Sequence, residues 1–130
     1  MGLSTFSSLL NFAIENEKKG LNILNKLPSA DREKLKEFIE ESEKSIAKLE
    51  TILRENVTEM VMEPCEPVEE NDYAFEETMG DSTLLAIRIK EKQRDFLLEL
   101  ARVINLKEVK RAVEKLASNK NKLIEKYKGA

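Results

Sequence analysis

The stretch LAIRIKEKQRDFLLELA, residues 85–101, decides how the whole chain is read. At helical spacing Ala86, Lys90, Gln93, Leu97 and Leu100 share one face. That face is an apolar seam with an ammonium and an amide set into its middle. Polar groups inside a helical core are costly unless they are paired, so the interruption calls for partners on neighbouring helices.

Working outward from this segment, periodicity and stop signals predict four helices, at about 4–27, 30–56, 82–104 and 105–128. The first ends at LPSAD, where Pro28 disfavours continuation and Ser29 or Asp31 can cap the next helix. Asp81 or Ser82 is the expected cap of the third. Asn105 with Glu108 three residues on makes a capping-box-like start for the fourth. Between the second and third helices lies NVTEMVMEPCEPVEENDYAFEETMGDS, residues 56–82, acidic and without Lys or Arg. A helix of about 26 residues is roughly 39 Å long, and an extended connector of this length spans that distance with slack. The second and third helices can then run parallel. The fold class expected is all-α, a single domain over residues 1–130 with one long crossover, the layout of ferritin-like four-helix bundles.

Composition agrees. With 36% charged and 41% hydrophobic residues but only 4 Gly and 3 Pro, turn punctuation is too sparse for an all-β chain. The net charge of −3 and the interleaving of Lys with Glu leave no phosphate-binding footprint, which argues against nucleic acid. No apolar run reaches spanning length and no export signal opens the chain, so no membrane association is expected. The opening MGLSTF departs from a myristoylation signal at Phe6. The single Cys65 fits a cytoplasmic setting. It reads as an inert thiol or a redox-active one, with no basic neighbour to lower its pKa. Abundant Lys and Glu beside a single Gln is a composition met in thermophile proteins.

Each helix breaks its seam once. The first reads Ala13, Glu17, Gly20, Leu24, Leu27; the second Leu35, Ile39, Ser42, Ile46, Leu49, Leu53, with Ser45 alongside. The fourth reads Leu106, Val109, Val113, Leu116, Lys120, Leu123, Tyr127. Laying FAIENEKKGLNILNKL over LAIRIKEKQRDFLLEL aligns Ala13 with Ala86, Glu17 with Lys90 and Leu24 with Leu97, a pattern consistent with an ancestral duplication of a helix pair. Dimetal carboxylate bundles place a Glu on each of two helices and Glu-x-x-His on each of the other two, all inward at mid-height, and the four breaks fall at those places.

On these residues, and best from TLLAIRIKEKQRDFLLELA to EKLASNKNKLIEKY, the sequence resembles the rubrerythrin and ferritin-like family in its short rubrerythrin-like branch. The resemblance covers both helix pairs but not the acidic crossover. It implies six former metal-site positions: Glu17 retains a ligand, Lys90 replaces a Glu, Ser42 and Ser45 replace one Glu-x-x-His, and Lys120 and Leu123 replace the other. The chain contains 0 His, so neither Glu-x-x-His can exist. A carboxylate-only site for a hard cation would be repelled by two ammonium groups at ligand positions. No catalytic residue, no metal and no cofactor are therefore expected, and iron or manganese is the alternative.

Two readings of the seam lysines stay open at this point. In one, Glu17 with Lys90, joined by Lys120 and Ser42, forms a buried hydrogen-bonded cluster. In the other, the lysines lie at the seam's edge and snorkel to water. Gly20 either permits close helix approach or is merely tolerated. Phe12, Phe38, Phe96 and Tyr127 read as core. The acidic crossover is a solvated connection or a segment that docks a protein partner.

The expected function is a degenerate rubrerythrin-like protein that binds or assembles without catalysis. As the resemblance implies, it forms a homo-oligomer, most simply a dimer. The competing function is a rubrerythrin-like oxidoreductase or iron-handling protein using an unusual set such as Glu17, Glu41 and Glu43, or residues shared across a dimer.

Overall fold

Helices form where the apolar spacing places them, but one is interrupted and a small strand pair is added. The computed structural model describes residues 2–60, 64–69, 81–104 and 106–128. Five helices account for most of these: α1 (Phe6–Asn25), α2 (Ser29–Lys34), α3 (Lys36–Met60), α4 (Ser82–Val103) and α5 (Lys107–Lys128). Strands β1 (Gly2–Thr5) and β2 (Pro64–Glu69) pair antiparallel, with Gly2 opposite Glu69 and Thr5 opposite Pro64. The strand at Gly2–Thr5 is why α1 begins at Phe6 and not at residue 4. Most of the expected crossover, and Asn105 as a cap, lie outside the described residues.

Backbone chemistry sets the helix ends. The last turn of α1 tightens through bonds from Lys26 N to Ile23 O and from Leu27 N to Leu24 O, both 3.2 Å, before Pro28 stops it. The second predicted helix is not continuous, because the chain turns at Leu35 (φ −104°, ψ 22°), separating α2 from α3. Neither Ser29 nor Asp31 caps α2, which follows Pro28 with no side-chain cap. The Asp31 carboxylate instead accepts a 3.0 Å bond from the Ser82 hydroxyl, tying α2 to the start of α4. Asp81 does cap α4, accepting from Thr83 N at 2.8 Å and Leu84 N at 3.1 Å.

Contacts fix the direction of each long helix. On α1 and α4, Phe12 meets Phe96 edge to face and Asn16 meets Gln93, while Gly20 meets Ile89, so these two run antiparallel. On α3 and α5, Glu37 meets Lys126 and Glu41 meets Lys120, again antiparallel. Helices α4 and α5 are linked by a tight turn and joined by Arg94 to Asn121 and Lys128 to Glu91. Helix α1 packs on α3 and α4, and α5 packs on α4 and α3. The four long helices thus form a ring with α1 diagonal to α5 and α3 diagonal to α4. Since each neighbouring pair is antiparallel, α3 and α4 are parallel, and the chain between Met60 and Ser82 connects opposite ends of the ring.

Buried apolar side chains separate into two clusters. One, near the α4–α5 turn, includes Leu9, Leu10, Ala13, Phe96, Leu97, Leu100, Val109 and Val113. The other, at the far end, includes Leu24, Leu35, Phe38, Ala86, Ile89 and Ile124. The predicted seams of α1, α4 and α5 hold along most of their length. Along the second predicted helix the expected Leu35, Ser42 and Leu49 are buried, with Ser45 alongside, while Phe38 and Ile52 take the inward places expected for Ile39 and Leu53, which are only partly buried. Phe12 and Tyr127 also sit partly buried at the core's edge, and Tyr127 stacks edge to face on Phe38.

Between the clusters α1 and α4 approach closely at Gly20. A Cβ there would lie 2.5 Å from Gln93 Nε2 and 2.8 Å from Ile89 Cγ2. Gln93 can swing its amide, but the Ile89 methyl is fixed by its β-branch. Gly20→Ala should therefore lose stability despite a helix-propensity gain of about 1 kcal/mol, because overpacking costs typically 1–3 kcal/mol. Urea unfolding of the variant measures the sign; a gain would show that the two helices move apart freely.

A buried lysine–carboxylate cluster as the candidate functional site

The polar layer between the two apolar clusters draws on all four long helices. Glu17 comes from α1, Glu41, Ser42 and Ser45 from α3, Lys90 from α4 and Lys120 from α5. Lys90 and Lys120 are both 0% exposed and Glu17 is 1% exposed, which rules out snorkelling to water.

The two ammonium groups share the carboxylates. Lys120 Nζ donates to Glu17 Oε1 at 2.8 Å, to Glu41 Oε1 at 2.8 Å and Oε2 at 2.9 Å, and to Ser45 Oγ at 3.3 Å. Lys90 Nζ donates to Glu41 Oε1 at 2.7 Å and to Ser42 Oγ at 2.5 Å. Ser45 Oγ in turn donates to Glu41 Oε2 at 2.5 Å. Two positive and two negative charges leave the layer neutral, the condition under which buried ions are tolerated.

The expected pairing of Glu17 with Lys90 is corrected by this geometry. Glu17 bonds Lys120 across one diagonal of the ring, and Lys90 bonds Glu41 across the other. The length of the lysine side chain lets these pairs span a diagonal, while Lys120 also bonds Glu41 on the neighbouring α3. Glu41 is the hub, and the seam reading missed it as a member of the cluster. It lies one position before Ser42, off the face centre, with its side chain 13% exposed. Charge counting could have found it, since two buried lysines require a second carboxylate and Glu17 supplies one.

Of the six positions implied by the family resemblance, Glu17, Ser42, Ser45, Lys90 and Lys120 come together in the cluster, while Leu123 is buried among the apolar residues of the far end. Glu43, proposed with Glu17 and Glu41 as an alternative metal set, is exposed. Among the described residues no group of three His, Cys, Asp or Glu is placed to hold a metal ion. Iron or manganese does not fit this donor set as it stands, because each carboxylate already accepts from an ammonium and no imidazole exists in the chain.

Electrostatics follow from burial. Desolvation raises Glu17 above the usual carboxylate range, with Lys120 and then Lys90 opposing it. For Glu41, burial also pushes upward, but the charges of Lys90 and Lys120 overcome it and hold the carboxyl at about 2. Burial and the like charge of Lys120 bring Lys90 down to about 8, against the pull of Glu41 and Glu17. At neutral pH Lys90 is therefore mainly charged. Although Ser42 lies within hydrogen-bond reach of it, a charged lysine cannot take the hydroxyl proton, and with both groups 0% exposed a substrate has no approach.

Beside the cluster, Gln93 Nε2 donates to Asn16 O at 3.2 Å. Asn16 Nδ2 and Gln93 Oε1 are buried without hydrogen-bond partners among the described residues. On the other side, a groove of about 320 Å³ between α3 and α5 is lined by Glu40, Lys44, Asn119 and Lys122 and reaches Glu41. Solvent therefore meets the cluster at its hub and not at its lysines.

No protein-family model matches the chain, and neither does any curated protein or solved structure. No helix among the described residues is long and apolar enough to cross a membrane.

Removing one partner of a buried pair leaves an uncompensated charge, which typically costs about 3–5 kcal/mol. Glu17→Gln and Lys120→Met should each destabilise on that scale by urea unfolding. The double variant should cost less than the sum of the two, with a coupling of about 1–3 kcal/mol. Additive losses would show that the two groups do not interact.

The acid limb gives a second test. Because the Glu41 carboxyl is held at about 2 in the folded chain, below the ordinary value of 4.5, its stabilisation is complete above pH 4.5 and fades as pH falls toward 2. Glu17, raised in the fold, contributes with the opposite sign. Glu41→Gln should therefore flatten the loss of stability between pH 4.5 and 2 relative to wild type. Parallel curves would count against the salt bridges.

Proposed function

We propose that the chain is a ferritin-like four-helix bundle of rubrerythrin-like type in which tethered lysines take the place of a dimetal centre. On this reading it is a non-catalytic binding or assembly protein that associates with itself. The observation that carries it is the meeting of Lys90 and Lys120 with Glu17 and Glu41 at mid-height, each ammonium within hydrogen-bond distance of a carboxylate. The parallel course of α3 and α4 supports the reading, since it requires a long crossover of the kind found in such bundles.

In a carboxylate-bridged bundle, inward carboxylates are neutralised by metal ions. Here the same number of carboxylates as ammonium groups makes the layer neutral without any ion. A metal would have to displace Lys120 from three carboxylate oxygens and then share the layer with its charge. The cluster therefore supplies structure and charge balance where relatives of this type carry out redox chemistry.

Elemental analysis of untagged protein after incubation with Fe²⁺ and with Mn²⁺ tests the proposal. Metal well below one equivalent is expected for wild type, with no peroxide-dependent turnover. Stoichiometric metal that disappears in Glu17→Gln would overturn the reading and return the chain to the oxidoreductases.

A further inference from the structure

The α1–α4 contact holds two polar atoms that the ion pairs do not use. Asn16 and Gly20 stand one turn apart on α1 and meet Gln93 and Ile89, which stand one turn apart on α4. Asn16 is 7% exposed and Gln93 1%. One hydrogen bond joins them, from Gln93 Nε2 to the Asn16 carbonyl at 3.2 Å. Asn16 Nδ2, a donor, and Gln93 Oε1, an acceptor, are buried without partners among the described residues. Native interiors hold few such groups, because each forfeits its bonds to solvent and gains none in return.

Reorienting the side chains does not remove the need. Turning the Gln93 carboxamide over would set Oε1 against the Asn16 carbonyl, acceptor against acceptor, and leave its NH2 group in the lone position instead. Turning the Asn16 amide over would exchange a lone donor for a lone acceptor. The contact therefore lacks a group that can serve both amides.

The chemistry of that group is narrowly set. It must accept from Asn16 and donate to Gln93. A metal cation cannot accept, and an anion without a proton cannot donate. Either would also bring a charge to a layer in which two ammonium groups already balance two carboxylates. Water accepts, donates and is neutral. It is also small enough for a contact so close that a Cβ on Gly20 would lie 2.5 Å from Gln93 Nε2.

We propose that one water molecule is a fixed part of the α1–α4 contact, accepting from Asn16 Nδ2 and donating to Gln93 Oε1. Its place in the layer follows from the ion pairs, which run from α4 to α3 and from α5 to α1 and α3. None of these three joins α1 to α4. The water, with the bond from Gln93 to Asn16, closes the polar layer on that side.

A crystal structure of the full chain at a resolution that shows ordered waters tests this, with Gln93→Met as a second crystal. Wild type should show one water within hydrogen-bond distance of both amides. In solution the Asn16 side-chain amide protons should give a nuclear Overhauser effect to water that is lost in Gln93→Met, which keeps the length of the side chain and removes the acceptor. The wild-type crystal decides by itself should the variant not fold. Asn16 Nδ2 bonded directly to Gln93 Oε1, or apolar atoms closed around both, overturns the proposal, and so does density that only an ion explains. A water that stays in place in Gln93→Met overturns the part given to Gln93.

Discussion

Neutrality of the buried layer is the constraint on which the arrangement of helices depends. Four charges, one from each long helix, meet between two apolar clusters that would pack acceptably at several relative heights. Apolar side chains tolerate sliding; the ammonium and carboxylate groups do not. Moving α5 by one turn, about 5.4 Å, would carry Lys120 beyond hydrogen-bond range of Glu17 and Glu41 at once. Because Glu17–Lys120 and Glu41–Lys90 each cross a diagonal while Glu41–Lys120 closes the α3–α5 edge, the layer also fixes which helices stand opposite each other. One edge of the ring is closed through the short helix α2 and another by the short α4–α5 link, but the pairing of one hairpin with the other has no covalent guide except a long connection. The cluster supplies that guide.

This explains which parts of the fold could be read in the amino-acid order. Seams on α1, α4 and α5 are local properties of spacing, and Ala86, Lys90, Gln93, Leu97 and Leu100 are all buried as their periodicity requires. On the second predicted helix the spacing located Leu35, Ser42 and Leu49 but not their inward neighbours, where Phe38, bulkier than Ile39, and Ile52 are buried instead of Ile39 and Leu53. The partners within the cluster were not legible, since they depend on which helices are diagonal, a tertiary fact. Glu41 escaped for a related reason. A glutamate one position off the seam looks like any exposed helix charge until two lysines on other helices reach toward it. The pairing of β1 with β2 joins segments about sixty positions apart, beyond the reach of local periodicity.

Burial and access divide the cluster's members into different roles. Lys90 and Lys120 have no exposure, so their charges exist only by virtue of the carboxylates they touch. Glu41 touches both and also borders the α3–α5 groove, so the hub of the network is its one member in partial contact with solvent. Opening of the α3–α5 contact would hydrate the cluster without disturbing the α1–α4 contact at Gly20. As acid is added, Glu17, raised by burial, takes a proton before Glu41, which the two lysines hold at about 2; protonation of Glu41 then weakens the bonds to both lysines together.

A neutral apolar layer of the same volume is often as stable as a buried ion network or more so. Retention of the charges is therefore better understood through specificity of arrangement and through what they replace. If the bundle descends from a metal-holding one, its carboxylates would be repulsive without a cation, and folding would depend on metal supply. Lysines carried on α4 and α5 provide cations at a fixed ratio to the carboxylates and at no binding equilibrium. The folded state then becomes independent of ion concentration. The exchange also removes the open coordination positions that metal chemistry needs. On the proposed descent, loss of redox activity and gain of ion-independent folding would follow from the same two substitutions, leaving the surfaces of the helices as the place where function can reside.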